Sequence, residues 1–200
     1  MQGVSILTPQ HWQLLIAGAP HGSRSAASAL ARLLEVFRPS VVFLELDRQD
    51  FSLLSSSLCA SPAEQPRLAR YAAHAAPECL GAVRWALGGD RGAGAARGAR
   101  CAAIPIDRDQ LTTRRRLAYQ LAQQPLQLLH ARRYWGHVPR GGDSVAEWCE
   151  RLRRDCPALH EVVLEERNQF MAYQILMHLD SRLQRSYSAL QADAASTAVG

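Results

Sequence analysis

The chain has 200 residues, 48% of them hydrophobic, and a formal net charge of +5. That size and composition suit one medium α/β domain, or one with a helical appendage, and exclude a disordered chain. All 23 basic residues are arginine; with the abundant alanine this reads as GC-rich coding, so the positive charge is no argument for nucleic acid.

The five cysteines (Cys59, Cys79, Cys101, Cys149 and Cys156) are odd in number and lack CxxC spacing. They read as reduced thiols of a cytosol-like compartment, not as a disulfide framework or a zinc knuckle. No run approaches the roughly 20 apolar residues that span a bilayer. The N-terminus shows no basic stretch followed by an apolar core, so no secretory signal is expected.

"QLLIA" (13–17) is a short apolar run that reads as a buried strand. Ser23 or Ser25 then suits a helix cap, and Leu30, Leu33, Leu34 and Phe37 recur at helical spacing opposite Arg32 and Glu35. Pro39 ends that helix, because proline disfavours helical geometry in the residue before it. "VVFLEL" (41–46) is a second buried strand. Strand, helix and strand in so short a span predict a βαβ unit with 13–17 parallel to 41–46. A short helix is expected over 51–58, an irregular connection over 61–77, a helix over 78–87 and a glycine–arginine loop over 88–100. That loop lacks the phosphate-binding GxxxxGK[ST] pattern. "CAAIPI" (101–106) is a third strand, placed near an edge by Pro105.

From Thr112 the pattern is helical: two helices broken near Pro125, a glycine-rich turn at 136–142, and an amphipathic helix over 144–154 with Val145, Trp148 and Leu152 on one side. Asp155 and Pro157 suit the start of a long helix, with Leu159, Val162, Val163, Phe170, Tyr173, Met177 and Leu183 among its apolar positions. The tail from about 188 reads as frayed. The fold class expected is α/β: a small, largely parallel sheet from βαβ units with a helix-rich C-terminal half. Residues 1–187 form one domain, and 188–200 are a tail or the start of a strand that the chain lacks.

Ligands of open α/β sheets bind beyond the carboxyl ends of the strands. There the sequence places Gly18 and His21, then Glu45 and Asp47, then Asp107, Arg108 and Asp109. An imidazole and several carboxylates are the types that hold a divalent cation or act as an acid–base pair. His21 is alternatively an ordinary loop residue. Glu45 lies in an apolar run, where a carboxylate is costly unless paired, so it reads as a metal ligand or as a salt-bridge partner of Arg108 or Arg116. Asp107–Arg108 could equally cap the following helix. Val162, Val163, Glu166 and Phe170 share a helical face, which favours an inward Glu166 and lets Arg167 join a carboxylate–arginine network; the alternative is a surface Glu166. Glu78 is a further candidate, or a favourable acid at a helix N-terminus.

"GAPHGSRSAASALARLLEVFRPSVVFLELDRQDFSLL", "PECLGAVRWAL", "IDRDQLTTRRR" and "CPALHEVVLEERNQFMAYQIL" occur in the order of the motifs of the TraB/PrgY family, and together resemble it from about Leu14 to Leu179. That family is related to Tiki metalloproteases and GumN-type proteins. The resemblance implies a peptidase-like, metal-dependent hydrolase site that uses two GxxH motifs and a glutamate. Carried over, the first GxxH is Gly18 to His21 and the glutamate is Glu45. His21 and Glu45 would hold a divalent ion (Mn, Co or Zn); Glu45, Arg108 and Glu166 would be catalytic. Gly18, Glu78, Asp107, Thr113, Arg116 and Arg167 would support the site. The chain departs from the pattern at GAPH, where GTAH is usual, and at Asn168, where the family has aspartate. It ends at "STAVG", about where the strand before the second GxxH begins. The expectation is therefore a TraB-like domain with an incomplete metal-hydrolase site, weakly active or inactive. The alternative is a non-enzymatic adaptor or regulatory module in the cytoplasm or at an organelle surface such as the mitochondrial outer membrane. The partners expected are proteins, with no nucleic acid and no transmembrane segment; peripheral association with an organelle membrane fits the same reading.

Overall fold

The computed structural model describes residues 4–7, 13–18, 24–59, 77–86, 101–134 and 145–197. The fold is mixed α/β, with a small parallel sheet and a helix-rich second half. The chain divides into two compact units, Met1–Pro105 and Ile106–Gly200.

Unit 1 contains the strands β1 (Val4–Leu7), β2 (Leu14–Ala17), β3 (Val41–Leu44) and β4 (Ala102–Pro105). Among its described residues the helices are α1 (Arg24–Phe37), α2 (Arg48–Cys59) and α3 (Pro77–Ala86). The parallel pair is β3 with β4, in the register Val41↔Ala102 to Leu44↔Pro105. Pro105 has no N–H to donate and falls on the last pair of the ladder, where its loss matters least. The two parallel strands are joined through α2 and α3, the long connection that parallel pairing requires.

The expected pairing of 13–17 with 41–46 is corrected here. β2 runs antiparallel to β1, Val4 opposite Ala17 and Leu7 opposite Leu14. A short apolar strand is equally suited to either partner, and the nearer one in sequence closes the smaller loop. Among the described residues β2 and β3 therefore lie in different sheets, and the three strand ends do not line one sheet edge.

Helix α1 ends where Pro39 dictates. Arg38 takes a left-handed φ of 44°, and its N–H donates to the Leu34 carbonyl at 2.9 Å. The inward face of α1 places Leu34 with Leu44 of β3 and Ala82 and Val83 of α3, with Leu30, Val42, Phe51 and Trp85 packed around them. Asp47, only 6% exposed, precedes α2 and is its N-cap: its carboxylate accepts the Asp50 N–H at 2.7 Å. Asp47→Ala is expected to lower stability by about 1 kcal/mol, measured by urea unfolding.

Unit 2 is helical: α4 (Gln110–Gln123), α5 (Leu126–Tyr134), α6 (Val145–Asp155) and α7 (Pro157–His160), then a π-helical turn (Glu161–Glu165) and α8 (Glu166–Thr197). Its core gathers Leu117 and Leu121 of α4, Ala131 of α5, Leu152 of α6, Cys156, Ala158 and Leu159, and Val162 of the π turn. Leu117 and Leu121 are four apart, so one stripe of α4 faces this core.

Several expectations for unit 2 are corrected. Asp155 does not start the long helix. It ends α6, where its carboxylate accepts the Tyr134 hydroxyl at 2.5 Å, and this bond holds it below the usual carboxylate range. Cys156 occupies the cap position without a side-chain capping bond, and Gln127 of α5 supplies the missing acceptor to the Ala158 N–H at 2.9 Å. Tyr173 and Met177, expected inward, are 56% and 50% exposed, and Val145 is 47% exposed. The helix runs on to Thr197 where a frayed tail is expected. Among the described residues no helix is long and apolar enough to cross a membrane.

Candidate functional site

The second unit begins with Ile106, Asp107, Arg108 and Asp109, just after β4. Asp109 caps α4, its carboxylate accepting the Thr112 N–H at 2.9 Å. This cap sets the first turn of α4, and the spacing then brings Thr113 and Arg116 to the side where Arg108 lies. The Thr113 hydroxyl donates to the Asp109 carbonyl at 3.2 Å and accepts from Arg108 Nε at 3.1 Å.

Arg108 uses the rest of its fork on the long helix. Nη1 donates to Glu166 Oε2 at 3.0 Å and Nη2 to the Val162 carbonyl at 2.9 Å. Arg116 meets the same carboxylate from the other side, with Nε 3.0 Å and Nη2 2.9 Å from Oε1. Both oxygens of Glu166 are thus engaged by guanidinium groups. Its carboxyl is held below the usual carboxylate range, first by the bond from Arg116; burial pushes the other way, and the bond from Arg108 adds to the lowering. Arg116 is shifted upward in return.

Next to this triad lies a second pair. Arg167 grips Asp107 with both arms, Nε 2.9 Å from each carboxylate oxygen and Nη2 2.6 Å from Oδ2. The Asp107 Oδ1 also accepts the Arg108 N–H at 2.7 Å, so one carboxylate fixes both the start of unit 2 and the base of α8. The side chains of Arg108, Glu166 and Asp107 are 12%, 18% and 12% exposed. Five charged groups therefore form one mostly buried lattice on unit 2.

Of the expected site residues, Asp107, Arg108, Thr113, Arg116, Glu166 and Arg167 lie together in this lattice. Gly18 follows β2 and is exposed, and Glu45 sits exposed at the bend after β3. Glu45 is thus not a carboxylate inside an apolar strand, because the strand ends at Leu44. Glu78 is the second residue of α3, with its side chain outside the described residues, and His21 lies outside them altogether.

A divalent ion of the kind that the resemblance implies would draw on His21 and Glu45. Among the described residues no three His, Cys, Asp or Glu side chains gather around one point. The two named donors also fall short of the three protein ligands of a catalytic zinc site.

Sequence reasoning missed three contributors. Gln127 and Tyr134 carry no motif, and the Val162 carbonyl carries no side-chain signal at all. Only the π turn at Glu161–Glu165 could have flagged the carbonyl, and two adjacent valines do not announce such a turn. No family model, characterised protein or solved structure matches this chain.

Proposed function

We propose that the chain is a TraB-like domain that works as a non-enzymatic adaptor or regulatory module, in the cytoplasm or at an organelle surface, with its ancestral hydrolase site vestigial. The observation that carries this reading is the saturation of Glu166. A carboxylate whose two oxygens are both held by guanidinium groups, Arg108 on one and Arg116 on the other, is a poor proton acceptor. The lattice around it is then a latch that joins α4 to α8, and the surfaces of those helices are the working part. The TraB-like motifs support the ancestry.

The test is incubation of the chain with a fluorogenic peptide pool and added Zn²⁺, Mn²⁺ or Co²⁺. No metal-dependent cleavage is expected. Cleavage that vanishes in both His21→Ala and Glu45→Gln, with the circular dichroism unchanged, would restore the hydrolase reading.

A further inference from the structure

Helix α8 starts from an irregular base. The Glu166 N–H donates to the Glu161 carbonyl, five residues back, which makes Glu161–Glu165 a π turn. Such a turn amounts to one extra residue in an α-helix. Everything after it lags by about 100° and about 1.5 Å relative to an unbroken helix. In an α-helix the Glu166 N–H would go to the Val162 carbonyl instead. Here that carbonyl takes the Arg108 Nη2 bond at 2.9 Å.

The sequence holds a second register. Closing the turn to α hands each place on α8 from one residue to its predecessor. Glu165 then takes the place where Glu166 meets Arg108 and Arg116, so both arginines keep a carboxylate. Glu166 takes the place where Arg167 meets Asp107, and two like charges oppose. Along α8 the half-buried positions are Phe170, Met171, Gln174, Ile175, His178 and Leu179. After closure, Gln169, Tyr173 and Met177 would move into that stripe and Met171, Ile175 and Leu179 would turn out. Both registers bury apolar side chains, Phe170, Met171, Ile175 and Leu179 in one and Phe170, Tyr173 and Met177 in the other, so hydrophobic periodicity chooses only weakly and the charges weigh against closure.

We propose that α8 is a two-register element, held in its π-turn register by the Asp107–Arg167 pair, with Glu165 and Glu166 serving the same two arginines in turn. A change of register exchanges the apolar side chains that the helix presents, which is a switch of the packed, bistable kind. The proposal rests on the lattice geometry and stands whether or not the adaptor reading does.

Met1, Met171 and Met177 are the chain's three methionines. Oxidation by hydrogen peroxide, read by peptide mass spectrometry, therefore reports the face of α8 without a label. In the native chain Met177 is expected to oxidise faster than Met171. Asp107→Asn removes both the hold on Arg167 and the repulsion of Glu166, and should invert that order. Adding Glu165→Gln should restore it, because the closed register would then leave Arg108 and Arg116 without a carboxylate. An Asp107–Arg167 pair with a purely structural role gives no reason for rescue by Glu165→Gln. A folded Asp107→Asn variant that keeps the native order would overturn the proposal, as would a double variant that stays inverted. The charge swap Asp107→Arg with Arg167→Glu rebuilds the ion pair and so protects the fold. In the closed register its introduced arginine would face Glu166 favourably, so the two methionines should oxidise at similar rates. The native order in the swapped chain would likewise overturn the proposal.

Discussion

Leu152→Ala is expected to lower the unfolding free energy of unit 2 by about 3–4 kcal/mol, read as a fall in the urea midpoint with little change in slope. Leu152 is 1% exposed and lies in the same buried cluster as Leu117, Leu121, Cys156, Leu159 and Val162. Those neighbours come from α4, from Cys156 just after α6, from α7 and from the π turn. They are anchored on separate backbones, so they cannot all relax into the space that a lost isobutyl group leaves. The conservative change Leu152→Met keeps the volume and should cost under about 1.5 kcal/mol. A Leu152→Ala loss below about 1 kcal/mol would mean that the site collapses freely, and that the cluster is looser than its burial indicates.

Glu166→Ala is expected to cost about 2–3 kcal/mol at neutral pH. It leaves Arg108, 12% exposed, beside an empty place with one guanidinium arm unpaired. The loss falls short of that for a fully buried pair because Arg116 is 42% exposed and finds water once released. The sign of the pH dependence follows from the direction of the shift. Glu166 lies below the ordinary glutamate value of 4.5 when folded, so its contribution is complete above that value and fades as the pH falls through the lower, folded one. The gap in stability between the native chain and Glu166→Gln should therefore be constant from pH 7 down to about pH 5 and close in stronger acid. Urea midpoints of both proteins across that range measure it. A gap that stays open at the acid end would mean that the carboxylate contributes by shape, not by charge.

Much of the local architecture was legible before any contact was known. Proline at 39 and at 125 limits the helices, since its ring excludes helical geometry behind it and removes an N–H. Repeats of leucine at three and four residues mark the inward faces of α1 and α4, because the α-helical period returns those positions to one side. Glu166 was expected inward, and Arg108 does meet it, although the π turn takes it out of the α-helical line from Val162.

What those periodicities left open needed the assembled chain. The strand 14–17 is apolar enough to pair with either neighbour, and its antiparallel partner β1 is chosen by proximity, which no side-chain pattern records. Glu45 reads as part of an apolar strand until the strand's end at Leu44 leaves it in an exposed bend. Asp155 has the composition of a cap, yet a tyrosine twenty-one residues earlier claims it and a glutamine caps in its place. The stripe of Tyr173 and Met177 follows a regular helix from Leu159, and the π turn between them sets it outward. Local sequence reports the period of a helix but not its phase across an inserted residue. Here that phase goes with the pairing of Asp107 with Arg167 and of Arg108 with a backbone carbonyl, groups more than fifty residues apart that meet only once unit 2 has folded.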